Sequence, residues 1–549
     1  MGRSIRLRPW QRRALDRYLE GGSSDFLAVA TPGAGKTTFA LTAARMTLPH
    51  VGGRLVVVAP TRHLKEQWAD AATRFDLDLE ADWNPSDGLP GDVHGVVTTY
   101  QQVGVNPEPF VALAGDGVVV LDEIHHAGDD RSWGTGVQRA FAGAARRLAL
   151  SGTPFRSDLA AIPFVRYTDL QVVPDVEYGY GDALADGRVV RPVYFPRFGG
   201  HMEWMAPDGS ELSASFEDPL SRGLANQRLR AALSLDGEWL PVVLGQAHEQ
   251  LLRIRQTHAD AGGLVIAMDQ GHAQGIAALL RRRFGVNPTV AVSDDPDASE
   301  RISHFAESDA PWIVAVRMVS EGVDIPRLRV GVFATTTTTE LFFRQAVGRI
   351  VRWTPGAGRQ RAYLFIPDDA RLRYWASAIA EARRHRLWRS EAEEADAPEV
   401  EPDDAGPPER DGEQLSLFAV LSATASDPAD DLDVLAHTDE PDDDPLDDEF
   451  DEQLVLDLAS LPPTAIRVLG SARERRRQRL ALRERNAELA RDLAALTGRS
   501  HAQVNAELNR LSKITRVSQA TVSQLQRRAA AAEEWLGRER RRSRLARFT

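Results

Sequence analysis

Cysteine is absent from the 549 residues. Disulfides, thiolate zinc sites and thiol catalysis are thereby excluded. Lysine is nearly absent too. Only Lys36, Lys65 and Lys513 stand among 66 basic residues, and the rest are arginine. Such a bias fits a GC-rich bacterial genome, so most arginines carry no functional message. A lysine at a chemically meaningful spot does carry one. Long apolar runs are also missing. None approaches the roughly 18 residues that span a bilayer, so no membrane partner is expected. The segment Met1–Trp10 is basic with no apolar stretch behind it, which reads as no secretory signal. The expected compartment is the cytoplasm.

Charge is present but unevenly spread. The net charge is −13. Residues 391–460 hold 26 acidic side chains against one basic, and residues 461–549 hold 21 basic against 8 acidic. Residues 1–390 are close to neutral. A near-neutral body thus carries an acidic tether and a basic end, so the overall sign does not exclude a polyanionic partner. A chain of this length is expected to form about three domains.

Asp25–Ala30 reads as a short buried strand, Thr31–Thr38 as a turn, and Phe39–Arg45 as a helix. Strand, glycine loop, helix is the setting that a phosphate-binding loop needs. The amides of Pro32-Gly33-Ala34-Gly35-Lys36-Thr37-Thr38 and the helix N-terminus would cradle phosphates. Lys36 would reach the β and γ phosphates of ATP, and Thr37 would hold Mg2+. Ala30 stands where the usual pattern begins with Gly. Gly117–His125 reads as a second buried strand ending in acids. Asp122 there would bind Mg2+, Glu123 would polarise the attacking water, and His125 would link the site to the next domain. Solvated turn carboxylates are the competing reading, and the order after a phosphate loop weighs against it.

The segment Gln345-Ala-Val-Gly-Arg-Ile-Val-Arg352 says most. Arg349 and Arg352 are three apart and are expected on one face of a helix. Arginine suits a developing phosphoryl charge because its planar fork binds two oxygens and stays protonated. A surface helix that merely ends in arginines is the competing reading. With Lys36 and Asp122-Glu123 before it, the chain resembles a superfamily-two helicase of the DExH type. It is similar to the branch of type I and III restriction motors, UvsW-like and XPB-like translocases, over about residues 5–385. The resemblance implies that Gln11 reads adenine and that Thr61, Arg62 and Thr98 grip the phosphates of one strand. Ser151 and Thr153, in Ser-Gly-Thr, would couple hydrolysis to domain movement; Gly152 replaces the usual Ala. Ser320–Pro326 resembles the fifth motif, where Gly322 permits close approach and Asp324 binds ribose. Gln345, Arg349 and Arg352 would meet ATP from the second domain, with Mg2+ as the other cofactor.

The expected fold is α/β: two RecA-like parallel-sheet domains in tandem, then a disordered acidic linker and a small helical C-terminal region. The expected units are residues 1–186, 187–390, 391–460 and 461–549. Strand-like runs at 263–267, 289–292, 312–316, 330–334 and 362–366, with a helix over 271–284 between two of them, predict the second parallel sheet. Residues from the 186–192 passage to about His258 read as helical. Inside the acidic linker, Gln414-Leu415-Ser-Leu417-Phe418 resembles the bacterial sliding-clamp-binding pentapeptide, and Gln453–Leu458 is a poorer echo. The basic runs 473–485 and 538–547 could meet phosphates, lie solvated, or dock on the acidic tether. The leading function is a DNA helicase or duplex translocase in bacterial repair, replication or restriction. An RNA helicase is the alternative. A scaffold is disfavoured by the complete set of ATPase residues. A fused nuclease is disfavoured because neither Lys65 nor Lys513 has the context that its lysine needs.

Overall fold

The computed structural model describes residues 4–391 apart from 87, 129–130, 153–161, 169–170, 207–208, 293–297, 317–324, 355–357 and 359. It also describes 419–425, 454–457 and 471–545. Thr153, Gly322, Asp324 and the peptide Gln414–Phe418 lie outside the described residues.

Short apolar runs set the architecture. Asp25–Ala30, Leu55–Ala59, Val118–Leu121 and Arg146–Ser151 are buried almost throughout. Continuous burial of this kind belongs to parallel strands with helices on both faces. Phe26, Ala28, Leu55 and Val57 accordingly join one apolar layer, while Leu27, Val29, Val56 and Val58 join the other. The first sheet has seven parallel strands. Their order is Val176–Tyr178, Asp25–Ala30, Arg146–Ser151, Val118–Leu121, Leu55–Ala59, Gly95–Thr99 and Leu79–Glu80. The second sheet runs Val193–Tyr194, Ala362–Pro367, Leu328–Ala334, Gly262–Ala267, Trp312–Val316 and Thr289–Ala291, with Arg197–Phe198 also beside Ala362–Pro367. Its pairings are all parallel. These are two RecA-like domains in tandem. The chain leaves the first sheet at Tyr178, passes the helix Tyr180–Ala185 and enters the second at Val193. Val189 and Val190 of this passage belong to an apolar cluster that includes residues of both domains.

Three expectations need correction. Residues 193–258 do not begin as helix. Gly200–Met205 and Glu211–Ser215 form an antiparallel hairpin before the helices Arg222–Ala232 and Trp239–Arg255. The cause is visible in His201-Met-Glu-Trp204, where Met202 and Trp204 are buried while His201 and Glu203 are exposed. This is period-two alternation.

The linker reading also fails for two pieces of 391–460. Ala419–Ala425 pairs with Gly200–Met205 on the second domain, and Leu454–Asp457 pairs with Ser4–Leu7 ahead of the first. Both are short apolar islands whose β preference is hidden by the surrounding acids.

The basic end is helical over Ala472–Thr497, His501–Ser512 and Val522–Leu545. Ser500 and Gln503 make the expected capping box. Arg475, Arg476, Arg479 and Arg483 of the first basic run, expected at phosphates, in solvent or on the tether, meet acids of the first domain. Arg479 forms a bidentate pair with Asp78, 2.7 Å at each oxygen, and both side chains are fully buried. Arg476 bonds Glu66 and Asp70, Arg483 bonds Glu80 at 2.9 Å, and Arg475 lies 3.8 Å from Asp76. Several exposed arginines pair within the bundle, such as Arg485 with Glu533 and Arg538 with Glu534. Much of the basic excess is therefore already matched by acids.

Candidate active site

The phosphate loop leaves the strand Asp25–Ala30 and opens the helix Lys36–Thr47. Gly33 and Gly35 take φ of 87° and 89°, which side chains resist. A Cβ on Gly35 would stand 2.5 Å from the Gln11 amide nitrogen. Ala30, the departure from the usual pattern, is the buried last residue of the strand. The segment before the loop ties it down. Arg8 donates to the Gly33 carbonyl at 2.9 Å, Trp10 to Ala34 at 3.0 Å and Gln11 to Gly35 at 2.9 Å. Gln11 also accepts from the Arg8 amide at 2.8 Å. Its side chain thus holds the loop in this structure. Thr37 and Thr38 stand in the helix's first turn, and Pro32 lies between the two domains.

The acids follow the neighbouring strand Val118–Leu121. Trp68 donates to the Asp122 carboxylate at 2.8 Å, and the Tyr100 hydroxyl donates to its carbonyl at 2.8 Å. Burial, reinforced by adjacent Glu123, pushes the Asp122 carboxyl up to about 6. Burial acts the same way on Glu123, but Lys36 and then His125 overcome it and bring that carboxyl down to about 2. The Lys36 ammonium lies 2.9 Å from Glu123, whose other oxygen accepts from the Gly152 amide at 2.9 Å. Glu123 has φ of 46°, a strained turn for a side chain of this size. Gly152 now has a reason: a Cβ there would stand 3.2 Å from the Lys36 nitrogen.

Buried Asp122 and half-buried Glu123 share one lysine here, so the site fits an added divalent cation. Thr37, in the first turn of its helix, and Asp122, at its strand's end, are the groups that could hold it. Among the described residues no cluster of three or more acidic, histidine or cysteine side chains forms a metal cage. A single carboxylate with a hydroxyl suits Mg2+, which keeps waters and phosphate oxygens as its other ligands.

The second domain closes on this face. Gln345 and Arg349 lie on the helix Glu340–Ile350. Gly348 of that helix packs against Pro32, where a Cβ would meet the proline ring at 2.4 Å. Gln345 reaches His125, 3.4 Å between side-chain nitrogens, and His125 lies 3.7 Å from Glu123. Arg352 corrects the expectation of one helical face. The helix ends at Ile350, Val351 caps it, and Arg352 instead forms an antiparallel bridge with Val190 of the interdomain passage. That turn still delivers its side chain: the Arg352 Cγ lies 3.7 Å from where a Cβ on Gly33 would be.

The expected strand-gripping residues divide. Thr61 and Arg62 open the helix Arg62–Ala72, and neither is buried. Thr98 is buried, and its hydroxyl donates to the exposed Gln102 side chain at 3.2 Å. Ser151 is the fully buried end of the strand Arg146–Ser151. Sequence reasoning missed the roles of Arg8, Trp10, Trp68 and Tyr100. Trp10 was legible in part, since a buried indole needs an acceptor for its N–H.

Comparison with known proteins agrees with this layout. The family model described as "Type III restriction enzyme, res subunit" matches residues 4–156. An uncharacterized Mycobacterium tuberculosis protein, Rv2917, is 45% identical over 430 residues, covering 76% of this chain and 71% of its own. A putative DNA 3'-5' helicase Rad25 of Halobacterium salinarum is 27% identical over 343 residues, 60% of this chain and 49% of that one. The DNA 3'-5' translocase XPB2 of Sulfurisphaera tokodaii is 25% identical over 370 residues, 63% and 79% of the two chains. The chain belongs to one family with the mycobacterial protein, within the superfamily-two helicases and translocases.

Proposed function

We propose that the chain is a DNA-dependent ATPase that translocates on duplex DNA or unwinds it. The observation that carries this is the meeting of Lys36, Asp122 and Glu123 with Arg352 and Gln345 across one cleft. Relatives named as a DNA helicase and a DNA translocase favour DNA over RNA.

The Lys36–Glu123 pair would link phosphate binding to hydrolysis. Lys36 spends its charge on Glu123 at 2.9 Å. When phosphates draw Lys36 away, Glu123 loses its strongest counter-charge and becomes a better base for a water. Mg2+, held by Thr37 and Asp122, would neutralise charge on the phosphate oxygens. Arg352 and Arg349 would meet the transferred phosphoryl group when the second domain sits against the loop. A finger of this kind is worth roughly 10³–10⁵ in rate. Gln345 against His125 lets the second domain sense the Glu123 side of the site. Each turnover would then shift the grip on DNA.

ATP hydrolysis measured with duplex DNA, single-stranded DNA and RNA tests the reading, with Lys36→Ala as control. Stimulation by DNA that Lys36→Ala abolishes is expected. Stimulation by RNA alone would overturn the DNA assignment. The proposed setting is bacterial repair, replication or restriction in the cytoplasm. Clamp binding through Gln414, Leu415, Leu417 and Phe418 is a separate part of the proposal. A clamp pull-down that survives Leu417→Ala with Phe418→Ala would remove it.

A further inference from the structure

Arg191 stands in the passage that joins the two domains, and its side chain is fully buried against residues of the second. Among the described residues no carboxylate pairs with it. Its guanidinium instead spends its donors on neutral oxygens. It donates to the carbonyl of Arg352, to the Pro326 carbonyl at 2.7 Å, to the Thr354 hydroxyl at 3.1 Å and to the Leu328 carbonyl at 3.4 Å. Thr354 donates in turn to the Pro326 carbonyl at 3.1 Å. Burial, with Arg329 nearby, pushes the Arg191 pKa down. A buried cation without an anion is costly, so its hydrogen bonds must have good geometry to persist.

The acceptors are informative. Pro326 ends the segment that resembles the fifth motif, and Arg352 ends the arginine motif. Arg191 itself lies in the interdomain passage. That passage runs antiparallel to residues 351–353: Arg191 donates its amide to Val351 at 2.7 Å, and Trp353 donates to Val189 at 3.4 Å. The Val189 carbonyl lies 3.8 Å from the Cβ position on Gly33, beside Arg352. Tyr180 fixes the far side by donating its hydroxyl to the Arg191 carbonyl at 3.1 Å.

We propose that Arg191 is a positioning residue that fixes the backbone of Arg352 and so aims the arginine at the phosphate loop. This rests on the ATPase reading above. A lysine cannot replace it, because one ammonium lacks the planar fork that reaches several carbonyls at once. The passage, Pro326 and Arg352 then move as one unit when the domains close.

The test compares Arg191→Met, Arg352→Ala and the double variant in the full chain. Fluorescent ADP is titrated alone and with aluminium fluoride, which mimics the transferring phosphoryl group. Arg191→Met should leave ADP affinity within about twofold and weaken binding of the aluminium fluoride complex tenfold or more. It should add nothing in the Arg352→Ala background. Arg191→Lys should fall between the wild type and Met. Equal losses with both ligands, or a full further loss on top of Arg352→Ala, would make Arg191 merely structural and overturn the proposal. So would no loss at all. If Arg191→Met does not fold, Arg191→Lys is read the same way. A wild type that binds neither ligand defeats the ATPase reading instead.

Discussion

At the scale of single residues, the site trades stability for chemistry. Asp122 is held near 6 against an ordinary 3.8 because it is buried beside Glu123. A raised carboxyl pKa means the folded state resists ionisation. The cost is fully present above about 6 and absent below 3.8, and it is on the order of 3 kcal/mol. Asp122→Asn keeps an oxygen for the Trp68 N–H and removes the charge. The variant should unfold at higher urea than wild type at pH 8, match it below pH 4, and lose ATP hydrolysis. A urea midpoint at or below wild type at pH 8 would contradict the account. Gly348 gives a second prediction. A methyl group there meets the Pro32 ring at 2.4 Å, and a proline ring has little room to yield. Gly348→Ala should hold the domains apart, lowering kcat at least tenfold while fluorescent ATP binding to the first domain changes little. Unchanged kcat would show that this contact is not needed for closure.

At the scale of elements, what was legible was local. The loop at 31–38 and the acids at 122–123 each sit in a strand-end context spelled by consecutive residues. The strands of both sheets were legible for the same reason, since full burial writes itself as a continuous apolar run. What escaped depends on distant partners. Nothing in Arg352 announces that the helix stops two residues earlier, because the stop is paid by a bridge to Val190. The hairpin from 200 to 215 was missed although its alternation is present, since helical runs follow closely. The arginines of helix Ala472–Thr497 could be read as meeting phosphates, solvent or the tether because their acids lie some 400 residues earlier. That interface carries its own prediction. His94 accepts from the Asp78 amide beneath it and is buried. Burial, then Arg475, pushes its pKa down to about 4. The unfolded chain takes up a proton from 6.5 downward and the folded chain does not, so stability falls between pH 6.5 and 4 and levels off below. His94→Gln, which keeps an acceptor, should lose about one proton's worth of that slope in urea midpoints. Identical slopes would mean that His94 does not titrate as described.

At the scale of the whole molecule, the tail is joined to both RecA-like domains. After the helix Ala370–Glu391 the chain adds one strand to the hairpin of the second domain, another to Ser4–Leu7, and then docks its arginines on the first domain. Ser4–Leu7 runs directly into Arg8, Trp10 and Gln11, which hold the carbonyls of Gly33, Ala34 and Gly35. The strand Leu454–Asp457 therefore supports the phosphate loop at one remove. An isolated four-residue strand has no ladder of its own, and without a partner it frays. A chain ending at residue 453 should lose protection of the Ser4–Leu7 amides against hydrogen exchange by about a hundredfold. Its ADP affinity should fall several-fold. A chain ending at residue 470 keeps Leu454–Asp457 and loses only the helical bundle. It should retain the protection and most of the affinity. If both truncations bind ADP equally, the tail strand does not support the loop. If both lose the protection, the bundle's arginines, rather than the strand pairing, hold the N-terminal segment in place.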